Sequence, residues 1–108
     1  MTDTAGPTLA EMQAAAAQAC RLMKVLSNPD RLLILCQLSQ GERRVGELEE
    51  ILQIVQPTLS QQLTVLREED LVSTRREGKN VYYQLTSRAA LAVIGVLYAE
   101  FCDPAGHR

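Results

Sequence analysis

Tryptophan is absent from this sequence and phenylalanine occurs once, so a folded core must be built mainly from aliphatic side chains. No stretch approaches the ~18 consecutive apolar residues of a membrane-spanning helix. The opening residues, MTDTAGPTLAEM, lack the pattern of a signal peptide. We therefore expect a cytoplasmic protein that spans no membrane. The 108 residues suffice for one compact domain, which we expect at 9–103, between flexible tails at 1–8 and 104–108.

Cysteine and histidine are also scarce: the chain has three cysteines and one histidine. Three thiols in a reducing compartment do not form a disulfide framework, so each is a packing, metal-binding or redox group. The sequence has no CxxC pair and no Cys–His pairing that would activate a thiolate for catalysis. We expect no enzymatic activity and no cofactor.

Four helices are predicted in the first two thirds of the chain, where helix-forming residues carry apolar positions on one side. The second helix begins at a cap formed by Ser27 or Asn28, with Pro29 in its first turn. It ends before Gly41, a natural helix terminator. The four segments are, to within a few residues, 9–26, 29–40, 46–54 and 56–70.

A β-hairpin and a final helix follow. Residues 71–86, LVSTRREGKNVYYQLT, contain two runs of β-branched and aromatic residues around a glycine-containing loop, which predicts two antiparallel strands. Thr86 or Ser87 then caps a helix, ending near residue 102, that is apolar on nearly every side. Such a helix is normally packed against other elements on both sides. Because the domain is so small, we expect a second subunit to pack against one side of it.

The order of four helices, a hairpin and a fifth helix predicts a mainly α, winged helix-turn-helix fold. In the fourth helix, Leu59, Leu63 and Leu66 form one apolar stripe, and the opposite face carries short polar groups that can reach base edges. An ordinary solvated face is the alternative interpretation of that pattern. The candidate DNA-contacting residues of this helix are Gln56, Pro57, Thr58, Ser60, Gln61 and Thr64.

The hairpin is locally basic, although the chain as a whole is not. Residues 71–88 hold four basic side chains and one acidic side chain, a local charge of +3 in a chain whose net charge is −2. Basic groups position a protein on phosphates, while polar groups contact bases. The hairpin candidates are Arg75, Arg76, Lys79 and Asn80. We predict binding to double-stranded DNA; a helical dimerisation module is the alternative, and a salt-dependent affinity for DNA would exclude it.

Several blocks, MKVLSNPDRLLIL, GERRVGELEEIL, QPTLSQQLTVLREEDLVSTRREGKNVYYQL and YAEFC, resemble the ArsR/SmtB family of winged-helix repressors over roughly residues 12–102. The resemblance implies a homodimer, joined through its first and last helices, on an operator with inverted half-sites about 34 Å apart. One departure is Val55, which stands before Gln56 and Pro57 where the family often has a serine or threonine that opens the reading helix.

The two common metal sites of that family are not matched. The thiolate-using branch has a Cys-x-Cys-type motif where this chain has GELE at 46–49, and the zinc branch has Asp and His ligands along its last helix. The only histidine here, His107, lies beyond that helix. We therefore expect no bound metal.

The cysteines carry a second, finer resemblance. Cys36 in the second helix and Cys102 near the end of the last, with QPTLSQQL and REGK, resemble the BigR/SqrR-like branch. That resemblance implies that a persulfide or polysulfide donor joins the two thiols through a disulfide or polysulfide bridge and releases the operator. A metal-responsive repressor that uses the same thiolates, and a thiol switch that responds mainly to peroxide, stay as alternatives. From its position beside Ala16, Ala17 and Met23, we expect Cys20 to be a small buried residue.

Overall fold

The computed structural model describes residues 6–102, so that most of both predicted tails, and His107, lie outside the described residues. Within that range the fold is the predicted one, with five helices and a hairpin wing, plus one short strand. The elements are α1 (Leu9–Leu26), α2 (Pro29–Leu38), β1 (Arg43–Arg44), α3 (Val45–Leu52), α4 (Thr58–Glu68), β2 (Val72–Glu77), β3 (Asn80–Leu85) and α5 (Arg88–Phe101).

Short polar side chains fix the starts of two helices. Asn28 begins α2, because its Oδ1 accepts a hydrogen bond from the Arg31 backbone N–H at 3.0 Å. Ser87 begins α5 in the same way, with its Oγ accepting from the Ala90 N–H at 3.1 Å. The sequence left Ser27 or Asn28 as the cap of α2 and Thr86 or Ser87 as the cap of α5. In the structure Asn28 and Ser87 are the caps.

The C-terminal end of α2 comes earlier than the sequence predicted. The helix ends at Leu38, because the next backbone N–H groups form a tighter turn in which Gln40 bonds the Gln37 carbonyl. Gly41, expected directly after the helix, instead ends that turn with a φ of +145°. This left-handed region favours glycine.

The hairpin of β2 and β3 is the wing, and β1 joins it to form a three-stranded antiparallel sheet in the order β1-β3-β2. The pairing of β2 with β3 runs from Val72 opposite Leu85 to Glu77 opposite Asn80, which leaves the two-residue turn Gly78-Lys79. Gly78 has a φ of +63°, as the first position of such a turn requires. The two-residue strand β1 was not predicted, since two adjacent arginines give no strand signal.

One aliphatic core joins the helices to the sheet. The side chains that are nearly inaccessible to solvent come from α2, α3, α4 and α5, and the buried aromatic residue is Tyr83 of β3. The largest of them are Ile34, Leu35, Leu48, Leu59, Leu66 and Ile94. This composition follows from the near absence of large aromatic residues.

Apolar side chains remain exposed on α1 and α5. Leu9 is 66% exposed on α1, and Phe101 is 75% exposed on α5. The expectation that Cys20 is buried is wrong for this chain: Cys20 is exposed, because α1 adds only Val25 and Leu26 to the buried core. Across residues 6–102, no helix is both long enough and apolar enough to span a membrane.

Candidate DNA interface and thiol pair

The two faces of α4 are separated as the sequence predicted. Leu59, Leu63 and Leu66 are at most 2% exposed, so one side of the helix is fixed in the core. The opposite side is open to solvent and carries Pro57, Ser60, Gln61 and Thr64, while Thr58 is half-buried at the edge. Because only one side is packed, the other can enter a major groove without disturbing the core.

The start of α4 is held by a glutamine. Pro57 occupies the cap position without a capping side chain. Gln56 Oε1 instead accepts hydrogen bonds from the Ser60 backbone N–H at 3.0 Å and from the Ser60 hydroxyl. Sequence reasoning missed this arrangement, because glutamine is not an ordinary capping residue. The first turn contains no acidic side chain, which leaves the positive end of the helix dipole open to phosphate.

Hydrogen bonding distinguishes the polar residues of this face. The Thr64 hydroxyl donates to the Ser60 carbonyl at 2.9 Å, and the Ser60 hydroxyl donates to Gln56. The Gln61 amide makes no such bond within residues 6–102. Both its donor and its acceptor are therefore available, which is what bidentate contact with adenine requires.

Arg31 joins three helices beneath this face. Its Nε donates to the Val25 carbonyl at the end of α1, at 2.8 Å, and its Nη1 donates to Gln62 Oε1 on α4, at 2.9 Å. Its own backbone belongs to the first turn of α2. The side chain is half-buried, and it sets the position of α4 relative to α1 and α2. Sequence reasoning missed this contact, because it depends on the packing of distant segments.

Arg75, one of the predicted DNA contacts, is engaged within the chain. Its Nε and Nη2 donate to the two carboxylate oxygens of Glu42 at 2.8 and 2.9 Å, and its Nη1 donates to Glu77 at 3.0 Å. Its guanidinium lies 4.4 Å from the centroid of the Tyr82 ring. The hydrogen bond with Arg75 lowers the pKa of Glu42, and those with Glu42 and Glu77 raise the pKa of Arg75.

The remaining wing candidates are exposed and unpaired. Arg76, Lys79 and Asn80 lie at or next to the turn, with no salt bridge or side-chain hydrogen bond in the part of the chain that the structure describes. Arg76 and Lys79 are therefore two exposed cations without a carboxylate partner in this part of the chain.

The two predicted thiols lie on neighbouring helices, because α2, which carries Cys36, packs against α5, which is capped by Cys102. Cys36 is half-buried and packs against the core. Cys102 is the exposed C-cap residue of α5, and its backbone N–H donates to the Tyr98 carbonyl at 2.8 Å. Burial raises the pKa of the Cys36 thiol, and the charge of Cys102 raises it further. The fold thus brings Cys36 and Cys102 onto two helices in contact, although 65 residues separate them in the sequence.

A depression of about 360 Å³ lies between the same two helices. Ser39 and Gln40, which line it from the end of α2, follow Cys36 by one helical turn. On α5, Tyr98 lines it and precedes Cys102 by one turn. Neither Cys36 nor Cys102 is among the residues that line it.

The different environments of the two thiols predict an order of reaction. At neutral pH we expect iodoacetamide to alkylate Cys102 before Cys36, because Cys36 is less exposed and its raised pKa leaves less of the reactive thiolate. Mass spectrometry of peptides taken at successive times measures both rates. In denaturing urea the two rates should converge, and equal rates in the native protein would contradict the expected order.

Within residues 6–102, no group of three or more histidine, cysteine or carboxylate side chains is placed to hold a metal ion. The carboxylates of Glu42 and of Glu77, the last residue of β2, are both paired with Arg75.

The fold is that of a winged helix-turn-helix DNA-binding protein. Its α4 has a polar side that faces solvent, its hairpin has a basic tip, and α1 and α5 carry exposed apolar side chains. Residues 28–74 match the family described as "Bacterial regulatory protein, arsR family". A biofilm growth-associated repressor of Agrobacterium fabrum is 51% identical over 96 residues, which are 89% of this chain and 82% of that protein. The chain belongs to the ArsR family of bacterial regulatory proteins.

Solved structures of relatives have the same fold. The transcriptional repressor BigR from Xylella fastidiosa superposes with a TM-score of 0.82 and 46% identity, covering 90% of this chain and 99% of that one. Reduced HlyU from Vibrio cholerae superposes with a TM-score of 0.84 and 42% identity, covering 88% of this chain and all of that one.

Proposed function

We propose that the protein is a transcriptional repressor in the cytoplasm, and that its operator binding is released when reactive sulfur joins Cys36 to Cys102. The observation that supports the thiol part is the packing of α2, which carries Cys36, against α5, which is capped by Cys102. The similarity to biofilm growth-associated repressors supports the repressor part.

DNA binding is assigned to the exposed face of α4 and the tip of the wing. The side-chain amide of Gln61, which has no hydrogen-bond partner within residues 6–102, would contact a base edge. The other uncharged residues on the exposed face of α4 would contact the DNA in the major groove. Arg76 and Lys79 would contact phosphates. The full proposed set is Gln56, Pro57, Thr58, Ser60, Gln61, Thr64, Arg76, Lys79 and Asn80. Arg75 is not in this set, because its guanidinium is paired with Glu42 and Glu77.

A homodimer would cover the apolar faces of α1 and α5. Met12 and Met23 of α1 and Val96 of α5 are at least 50% exposed in the single chain, and burying such side chains stabilises association at about 25 cal/mol per Å². Two reading helices would then contact half-sites of an inverted repeat about 34 Å apart.

The proposed chemistry begins at the exposed thiol. The Cys102 thiolate attacks the outer sulfur of a persulfide RSSH, which forms Cys102–S–SH and releases the thiol RSH. The Cys36 thiolate then attacks the inner sulfur of that persulfide and expels HS⁻. Two cysteine thiols and one RSSH thus yield a disulfide, RSH and H₂S. If both cysteines first accept a sulfur atom, attack by one persulfide on the other expels HS⁻ and leaves a trisulfide.

The bridge would act on DNA binding through α2. This helix packs against α4 as well as against α5, and Arg31 in its first turn bonds Gln62 of α4. Fixing α2 to the end of α5 would therefore change both the subunit contact and the setting of α4. A coupling of about 1–3 kcal/mol changes DNA affinity about 5- to 150-fold.

The test is fluorescence anisotropy with a DNA duplex that carries the inverted repeat upstream of the protein's own gene. We expect reduced protein to bind, glutathione persulfide to weaken binding about 5- to 150-fold, and dithiothreitol to restore it. Cys36→Ser and Cys102→Ser should stay bound after the same treatment. Cys20→Ser is the matched control and should respond like the unsubstituted protein.

Three results would overturn the persulfide assignment. Release of DNA by Cys36→Ser or Cys102→Ser would remove the bridge from the mechanism. A response to hydrogen peroxide alone would favour the peroxide switch, and a response to Cu(I) or Zn²⁺ under reducing conditions would favour the metal-responsive alternative. Mass spectrometry of the unreduced protein counts the sulfur atoms in the bridge.

A further inference from the structure

We propose that Arg75 is a positioning residue that fastens the wing to the loop between α2 and β1, and that Arg76 and Lys79 supply the phosphate contacts of the wing. This inference rests on the DNA-binding part of the proposed function and is independent of its thiol part.

The register of the sheet places Arg75 and Arg76 on opposite faces. Arg75 is opposite Tyr82 and Arg76 is opposite Val81, and neighbouring residues of a strand alternate between faces. Two adjacent arginines that look equivalent in the sequence therefore have different surroundings.

The Arg75 side chain crosses the middle strand of the sheet. It starts on β2, lies against the Tyr82 ring of β3 and reaches Glu42, the residue immediately before β1. The contact with Glu42 is bidentate, the geometry in which a guanidinium and a carboxylate interact most strongly. This contact links the hairpin to the residue that precedes β1, the strand at the opposite edge of the sheet from β2.

Phosphate binding by Arg75 would have to compete with two carboxylates. Glu42 and Glu77 together occupy three of its nitrogen atoms, and they place two negative charges where a phosphate would approach. Arg76 and Lys79 have no carboxylate partner within residues 6–102. Within the hairpin of β2 and β3, the available positive charge is therefore that of Arg76 and Lys79.

The salt dependence of DNA binding separates the two roles. Each phosphate contact adds about 0.9 to the negative slope of log K against log salt concentration, so that loss of one contact per subunit changes the slope of a dimer by about 1.8. The probe is a fluorescein-labelled mixed-sequence duplex, titrated by anisotropy between about 50 and 200 mM salt, because non-specific binding is almost wholly electrostatic.

We expect Arg76→Gln and Lys79→Gln each to make the slope shallower by about 1.8. Arg75→Gln should weaken binding at every salt concentration and leave the slope unchanged. Arg75→Lys should weaken binding by a similar factor, because lysine keeps the charge but loses the bidentate fork and the planar contact with Tyr82. A shallower slope for Arg75→Gln, with normal binding by Arg75→Lys, would overturn the proposal.

Amide hydrogen exchange in the wing tests the role of Arg75 without any DNA. Arg75→Gln should speed exchange at the amides of β2 and β3, and Arg76→Gln should not. Equal exchange in the two variants would also overturn the proposal. If the unsubstituted protein shows no salt-dependent DNA binding, the proposed function fails, whereas the exchange experiment still tests the role of Arg75 in fastening the wing.

Discussion

Replacement of Leu35 by alanine is expected to lower the free energy of unfolding by about 2–5 kcal/mol, the range for a leucine removed from a packed core. Leu35 is completely buried, so the smaller side chain leaves a cavity that the surrounding helices fill only in part. A domain of this kind has a total stability of roughly 5–15 kcal/mol, which makes this a large fraction of the whole.

Leu33 offers a matched control on the same helix. It is 47% exposed, and Leu33→Ala should change the free energy of unfolding by about 0.5 kcal/mol or less, as at other surface positions. Urea denaturation of both variants at one protein concentration compares them directly, since the stability of a dimer depends on concentration. An equally large loss at both positions would contradict the assignment of only Leu35 to the core.

Replacement of Arg31 by methionine is expected to lower the free energy of unfolding by about 1–3 kcal/mol, because it leaves a carbonyl and an amide oxygen without their charged donor. These are the Val25 carbonyl and Gln62 Oε1. Methionine keeps most of the length and the apolar stem. Because the lost bonds set the position of α4, we also expect operator affinity to fall about tenfold, or 1.4 kcal/mol.

A double-mutant cycle with Gln62→Met isolates the bond between the two side chains. Groups in direct contact show coupling energies of about 0.5–3 kcal/mol, so the double variant should lose less stability than the two single variants together. Arg67→Met, on the exposed side of α4, removes the same charge and should alter stability by about 0.5 kcal/mol at most. Strict additivity of Arg31→Met and Gln62→Met would show that the bond contributes nothing to stability.

Local and periodic features were predictable from the sequence. The apolar stripe of Leu59, Leu63 and Leu66 gave both faces of α4 correctly, because side-chain direction in a helix follows directly from spacing. Asn28 and Ser87 mark helix starts because a short side chain satisfies backbone donors of its own first turn. The hairpin followed from two β-rich runs around a glycine. The sequence also determined that the core is aliphatic, since it offers few large aromatic side chains.

Only the tertiary structure decided which polar groups are free and which are engaged. Arg75 and Arg76 are adjacent residues of the same type, yet Glu42 and Glu77 pair with the first and leave the second without a carboxylate partner among residues 6–102. Arg31 meets Gln62 through the packing of α2 on α4, and the packing of α2 on α5 places Cys36 and Cys102 on neighbouring helices. Such contacts join residues distant along the chain, and spacing along a sequence carries no information about them. The burial and the electrostatic surroundings of each of these side chains depend on residues that only folding brings close to it.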